Sequence, residues 1–181
     1  MGAVVLPLLL ALLLLYVLVY FARQAGRALA RSREVTRFQF EAKALLAQVD
    51  PILERLAART DSARRHLVAP EEILDDLATG STRLEAAHAE ADGIRAPVQG
   101  RVLLDAMRDD VERALRAVDM IRHGCEQGVD GRGRGAELEA QTAVKRGYLN
   151  LLHARESLTK HVGEAVRLEP VATRAVRRAR L

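Results

Sequence analysis

The chain has 181 residues, 49% hydrophobic but only 3% aromatic, with no Trp and one cysteine, Cys125. A single cysteine excludes an intrachain disulfide, and with aromatics so scarce any core must be built from aliphatic side chains and alanine. The net charge of +4 is uneven, with 20 basic against 23 acidic side chains over residues 34–168 and basic segments on either side; this argues against a nucleic-acid-binding face on the folded part.

Ala3 to Ala22 is an uncharged run of twenty residues, nine of them Leu and four Val. As a helix it reaches about 30 Å, the thickness of a hydrocarbon core. Tyr16, Tyr20 and Phe21 lie at its C-terminal end, where aromatic rings settle at the lipid–water boundary. Arg23, Arg27, Arg31 and Arg33 follow before the first acid, Glu34. A secretory signal requires a basic n-region, a shorter apolar core and small residues before the cut. "ALA" at Ala28–Ala30 imitates such a cut, but two arginines stand between it and the apolar run. The expectation is a single-pass anchor over 1–22 and a basic juxtamembrane segment over 23–33. By the positive-inside rule the N-terminus lies outside and the rest in the cytoplasm, at the inner membrane of a bacterium. Ala22, Gly26 and Ala30 form a small-residue series of the kind that supports helix pairing, which makes a homodimer one candidate arrangement; in an Ala-rich chain the same spacing also arises by chance.

Beyond the anchor the apolar spacing is helical throughout. The first series is Phe38, Ala42, Leu45, Val49, Ile52, Leu56, Arg59 and Ala63, crossing Pro51 in phase as a kinked but continuous helix. "VAPEEI" is a helix start, with Pro70 at the first helical position and Glu71 and Glu72 in the first turn. The second series is Ile73, Leu77, Gly80, Leu84, Ala87, Ala91 and Ile94. The third is Leu104, Met107, Val111, Ala114, Val118, Ile121 and Cys125. The fourth is Val144, Tyr148, Leu151, Leu158, Val162 and Ala165, broken only by Arg155 beside Ala154. These series predict helices over about 34–67, 70–94, 98–127 and 136–168, with a Gly-rich loop at 128–135 and a basic tail at 169–181. The fold class is all-α: one transmembrane helix, then an antiparallel four-helix bundle or a pair of coiled-coil hairpins. Helix parity returns the tail arginines, Arg174, Arg177, Arg178 and Arg180, toward the anionic head groups of the same bilayer.

The candidate chemistry is thin. "GVDGRGRGAELE" lacks the strand and the GK[ST] ending of a phosphate loop, and Glu137 would repel phosphate. Arg132 and Arg134 in it are candidates for a partner-binding tip. Glu85 and His88 have E-x-x-H spacing, but a di-iron bundle needs a second copy, which the sequence lacks. Glu71, Glu72, Asp75 and Asp76 read as a solvated face, with a divalent-cation site as the sharper alternative. His153 and His161 could share a helix face, and Cys125 sits on a helix seam as a small buried group. No catalytic residue, cofactor or metal is assigned. The expected function is a non-enzymatic, membrane-anchored scaffold or adaptor that binds proteins in the cytoplasm and touches lipid, with no nucleic acid. The alternatives are a transmembrane signalling element, a membrane-attached metal-dependent enzyme, and an exported helical protein freed by signal cleavage.

Overall fold

The computed structural model describes residues 2–130 and 134–169, with side chains from residue 12 onward except at 129, 130 and 134. Among the described residues there are four α-helices, one 3₁₀ turn and no strand. The helices are α1 (Gly2–Arg64), α2 (Glu71–Gly93), α3 (Arg101–Asp130) and α4 (Arg134–Val166), with the 3₁₀ turn at Val98–Gly100. The chain divides into two compact units. One comprises Met1–Arg37 with Glu169–Leu181, and the other Phe38–Leu168.

In the first unit α1 is helical from Gly2, and the side chains from Leu12 to Arg27 are exposed. Tyr20 and Phe21 stack edge to face, with ring centroids 5.9 Å apart. Among the described residues this is one helix long and apolar enough to cross a membrane.

The second unit is a helical bundle around an aliphatic and alanine core. Its helix pairs run antiparallel. Gln39 of α1 donates to the carbonyls of Val166 and Leu168, and Asp50 of α1 meets Arg155 of α4. Arg59 of α1 meets Asp76 of α2, Arg108 of α3 meets Asp92 of α2, and Asp110 of α3 meets His161 of α4. Phe38, Gly100 and Leu168 gather at one end. His66, Pro70, Cys125 and Glu137 line a cavity at the other.

The α2 and α3 series face the core in the predicted phase. Ile73, Leu77, Leu84, Ala87, Met107, Val111, Ala114 and Ile121 are all fully buried. Gly80 is buried within α2, as the unbroken phase requires, because a Cβ there would stand 2.6 Å from Leu56 Cδ1. Gly124 and Gly147 serve the α3–α4 contact more stringently. A Cβ at Gly147 would meet the Ala117 carbonyl oxygen at 2.9 Å, and one at Gly124 the Ala140 carbonyl oxygen at 2.9 Å. Only glycine lets these two backbones approach so closely.

α1 passes through Pro51 as one helix, with the proline ring on the exposed side. Past Pro51 its buried face differs from the predicted series. Leu53 and Thr60 are buried where Ile52 and Arg59 were expected, while Ile52 is half-buried. Steps of three-then-four and four-then-three both fit a 3.6-residue repeat, and tertiary contacts choose between them. The chosen register keeps the Arg59 charge at the surface; the Thr60 hydroxyl is satisfied by donating to the Leu56 carbonyl at 2.7 Å.

The helix ends also depart from the predicted bounds. α1 stops at Arg64 rather than 67, because His66 turns into the left-handed region with φ 57°. His66 N–H then donates to the Ala63 carbonyl and Leu67 N–H to the Ser62 carbonyl, the paired bonds of a Schellman cap. Pro70 already has helical dihedrals ahead of α2, and the Glu72 carboxylate accepts from the Ala69 N–H at 3.2 Å, half of a capping box. α3 continues to Asp130 and α4 begins at Arg134, so the connection between them is shorter than the predicted Gly-rich loop.

Candidate functional site

The sites named from the sequence fall in three places. The aromatic and basic residues of the anchor boundary, Tyr16, Tyr20, Phe21, Arg23, Arg27, Arg31 and Arg33, lie on α1 and are exposed. Arg134 opens α4, with its side chain undescribed, and Arg132 lies outside the described residues. The tail residues Arg174, Arg177, Arg178 and Arg180 also lie outside them.

The candidate metal residues are dispersed. The Glu85 carboxylate is exposed and accepts from the Ser81 hydroxyl, and His88 Nδ1 is 3.7 Å from Asp92 on the same helix. Asp76 is engaged by Arg59 and Glu72 by the α2 cap, while Glu71 and Asp75 are exposed. Among the described residues no group of three or more His, Cys, Asp or Glu could hold a metal ion. His153 is exposed, whereas His161 is partly covered and bound to Asp110.

Two polar clusters emerge that spacing did not reveal. The first is centred on Asp110, only 2% exposed in the α3–α4 interface. Its Oδ2 lies 2.6 Å from His161 Nδ1, and its Oδ1 accepts from Arg113 Nη1 at 3.3 Å. A buried carboxylate needs such partners, since burying a lone charge costs several kcal/mol or more. The cluster ties α3 to α4. Among the described residues His161 makes no other hydrogen bond.

The second cluster explains the breach in the α4 series. Arg155 stands beside the buried Ala154 and turns to α1. It grips Asp50 with two bonds, Nε to Oδ1 at 2.6 Å and Nη2 to Oδ2 at 3.2 Å, and reaches Glu54 Oε2 at 3.2 Å. The hydrogen bond from Arg155 holds the Asp50 carboxyl below its ordinary value of 3.8, against the opposing effect of burial and with the Arg155 charge adding to it. The stabilisation is therefore fully present above pH 3.8 and is lost as the pH falls through the lower folded value. Both groups are about a third exposed, which keeps the pair's contribution near or below about 1 kcal/mol.

At the opposite end from Phe38, Cys125 is 1% exposed, and desolvation pushes its thiol up to about 11, with Glu126 and Glu71 adding to the shift. A thiol held protonated in this way is a poor nucleophile at neutral pH. Nearby, the Arg64 guanidinium lies over the Tyr148 ring, 4.8 Å from its centroid.

Asp110 pairs with His161 across 51 residues and Asp50 with Arg155 across 105. The sequence signal for the second was Arg155 on an otherwise apolar face; Asp110, one residue before the seam position Val111, offered none. Comparison with protein-family models, with curated proteins and with solved structures gives no match.

Proposed function

We propose that the chain is a single-pass membrane protein whose helical unit works as a non-enzymatic scaffold, binding partner proteins on the cytoplasmic side. The reading rests on one observation above all: the side chains from Leu12 to Phe21 are exposed on α1, and among the described residues no core covers them. In water such a run is a large aggregation-prone surface, and a bilayer is the environment that removes its cost. Arg23, Arg27, Arg31 and Arg33 follow it and would hold the C-terminal side in the cytoplasm. The basic tail residues Arg174, Arg177, Arg178 and Arg180 would add attraction to anionic head groups. Tethering raises the local concentration of whatever the bundle binds, which is a function in itself.

A second reading has its own support. α1 is one uninterrupted helix from Gly2 to Arg64. A piston or rotation of its apolar part would pass directly into the bundle, as a transmembrane signalling element requires.

The test is a compartment-sensitive reporter fused after Leu181, combined with blotting of membrane and soluble fractions. An intact, membrane-bound product with a cytoplasmic reporter is expected. A shortened, soluble product with an exported reporter would replace the anchor by a cleaved signal and remove the tethering mechanism.

A further inference from the structure

α1 and α2 cross where Leu56 packs on Gly80, and beside the crossing a surface groove of about 300 Å³ opens between them. Pro51, Ile52 and Ala86 give it an apolar lining, while Arg55 from α1 and Arg83 from α2 stand on the same groove with Thr79.

Six other arginines are answered by an acid close by in the chain. Arg64, Arg65, Arg108, Arg113, Arg116 and Arg122 each meet an Asp or Glu three or four residues away. Arg55 has Pro51, Ile52, Ala58 and Arg59 at those positions, and Arg83 has Thr79, Gly80, Ala86 and Ala87. The acid beside Arg55 in the chain and the acid that lines the groove both pair with other arginines. Glu54 turns to Arg155 on α4 at 3.2 Å, and Asp76, which also lines the groove, is held by Arg59 at 2.7 Å. Neither the Arg55 nor the Arg83 guanidinium has a hydrogen-bond or ion-pair partner among the described residues. Two unanswered like charges flanking one groove repel, and an anion between them removes the repulsion. The guanidinium fork matches the oxygens of a carboxylate or a phosphate. The apolar lining suits a ligand whose charged head is carried on a hydrophobic body.

We infer that this groove binds a carboxylate or phosphate monoester on a compact apolar body, with Arg55 and Arg83 as the anion clamp. The site lies wholly within residues 38–168 and does not depend on the membrane reading. The test is titration calorimetry of the full chain in dodecyl maltoside, with empty micelles as the blank. The probes are phenyl phosphate, benzoate, inorganic phosphate and benzyl alcohol. Phenyl phosphate or benzoate binds, the better of the two identifying the head group; inorganic phosphate binds more weakly, and benzyl alcohol gives no signal above the blank. Arg55→Gln and Arg83→Gln each weaken the better probe at least about tenfold while the helical circular dichroism is kept. Arg146→Gln, an exposed arginine on α4, leaves it unchanged. No heat from either oxyanion probe, or equal affinity in the wild type and both groove variants, overturns the assignment.

Discussion

His66 carries a cost that its neighbours could not remove. It holds φ 57° at the end of α1, a conformation in which its Cβ crowds the following carbonyl. The position is the one that glycine favours in a Schellman cap. Its side chain is exposed, so replacing it loses little packing. His66→Gly is therefore expected to raise the stability of the bundle by about 1 kcal/mol, read as a higher urea midpoint at unchanged slope. A lower midpoint would mean that the imidazole makes a contact worth more than the strain. At the same scale, Thr60 shows how a polar side chain is accepted into an apolar seam: its hydroxyl returns to the helix's own backbone, at Leu56.

Between elements, glycine sets how closely the helices pack, and the obstacle to a larger residue differs from site to site. At Gly147 an added Cβ would strike the Ala117 carbonyl and backbone nitrogen of Ile121, which cannot move without moving α3. At Gly80 it would strike only the Leu56 side chain, which can change rotamer. Gly147→Ala is expected to cost about 2–3 kcal/mol and Gly80→Ala less, despite alanine's better helix propensity at both. Chemical denaturation of the two variants side by side checks the order; a reversal would show that the α1–α2 contact is the less forgiving one. The ion pairs between elements add less. Arg155 with Asp50 is partly solvated and orients α1 against α4 more than it stabilises them.

For the whole molecule, the separation into two compact units makes a direct prediction. Residues 38–168 have their own core, with Phe38, Leu53, Ile73, Met107, Ile121 and Leu158 all fully buried. A fragment of residues 34–168 is expected to be soluble and strongly helical, with cooperative unfolding. A random-coil circular dichroism spectrum would show that the bundle needs the apolar part of α1. The anion groove between Arg55 and Arg83 would survive in such a fragment, whereas membrane association would not.

The sequence alone determined that the chain is helical, the bounds of α2, α3 and α4 to within a few residues, and which faces of α2 and α3 turn inward; it did not fix that the apolar run, the basic segment at 23–33 and the first bundle helix form the single helix Gly2–Arg64. A 3.6-residue repeat of Leu, Ile, Val and Ala is a local property and needs no knowledge of partners. The same pattern carried Gly80 into a helix and exposed Arg155 as an intruder on an apolar face. Tertiary structure alone decided the rest. It chose Leu53 and Thr60 over Ile52 and Arg59, because two neighbouring registers satisfy one helical period and only the facing helices distinguish them. It joined Asp110 to His161 and Asp50 to Arg155, because pairing across 51 and 105 residues depends on which helices come together. It also left Arg55 and Arg83 unanswered on one groove: the absence of acids three and four residues away is written in the sequence, but the meeting of the two arginines is made by the packing of α1 on α2.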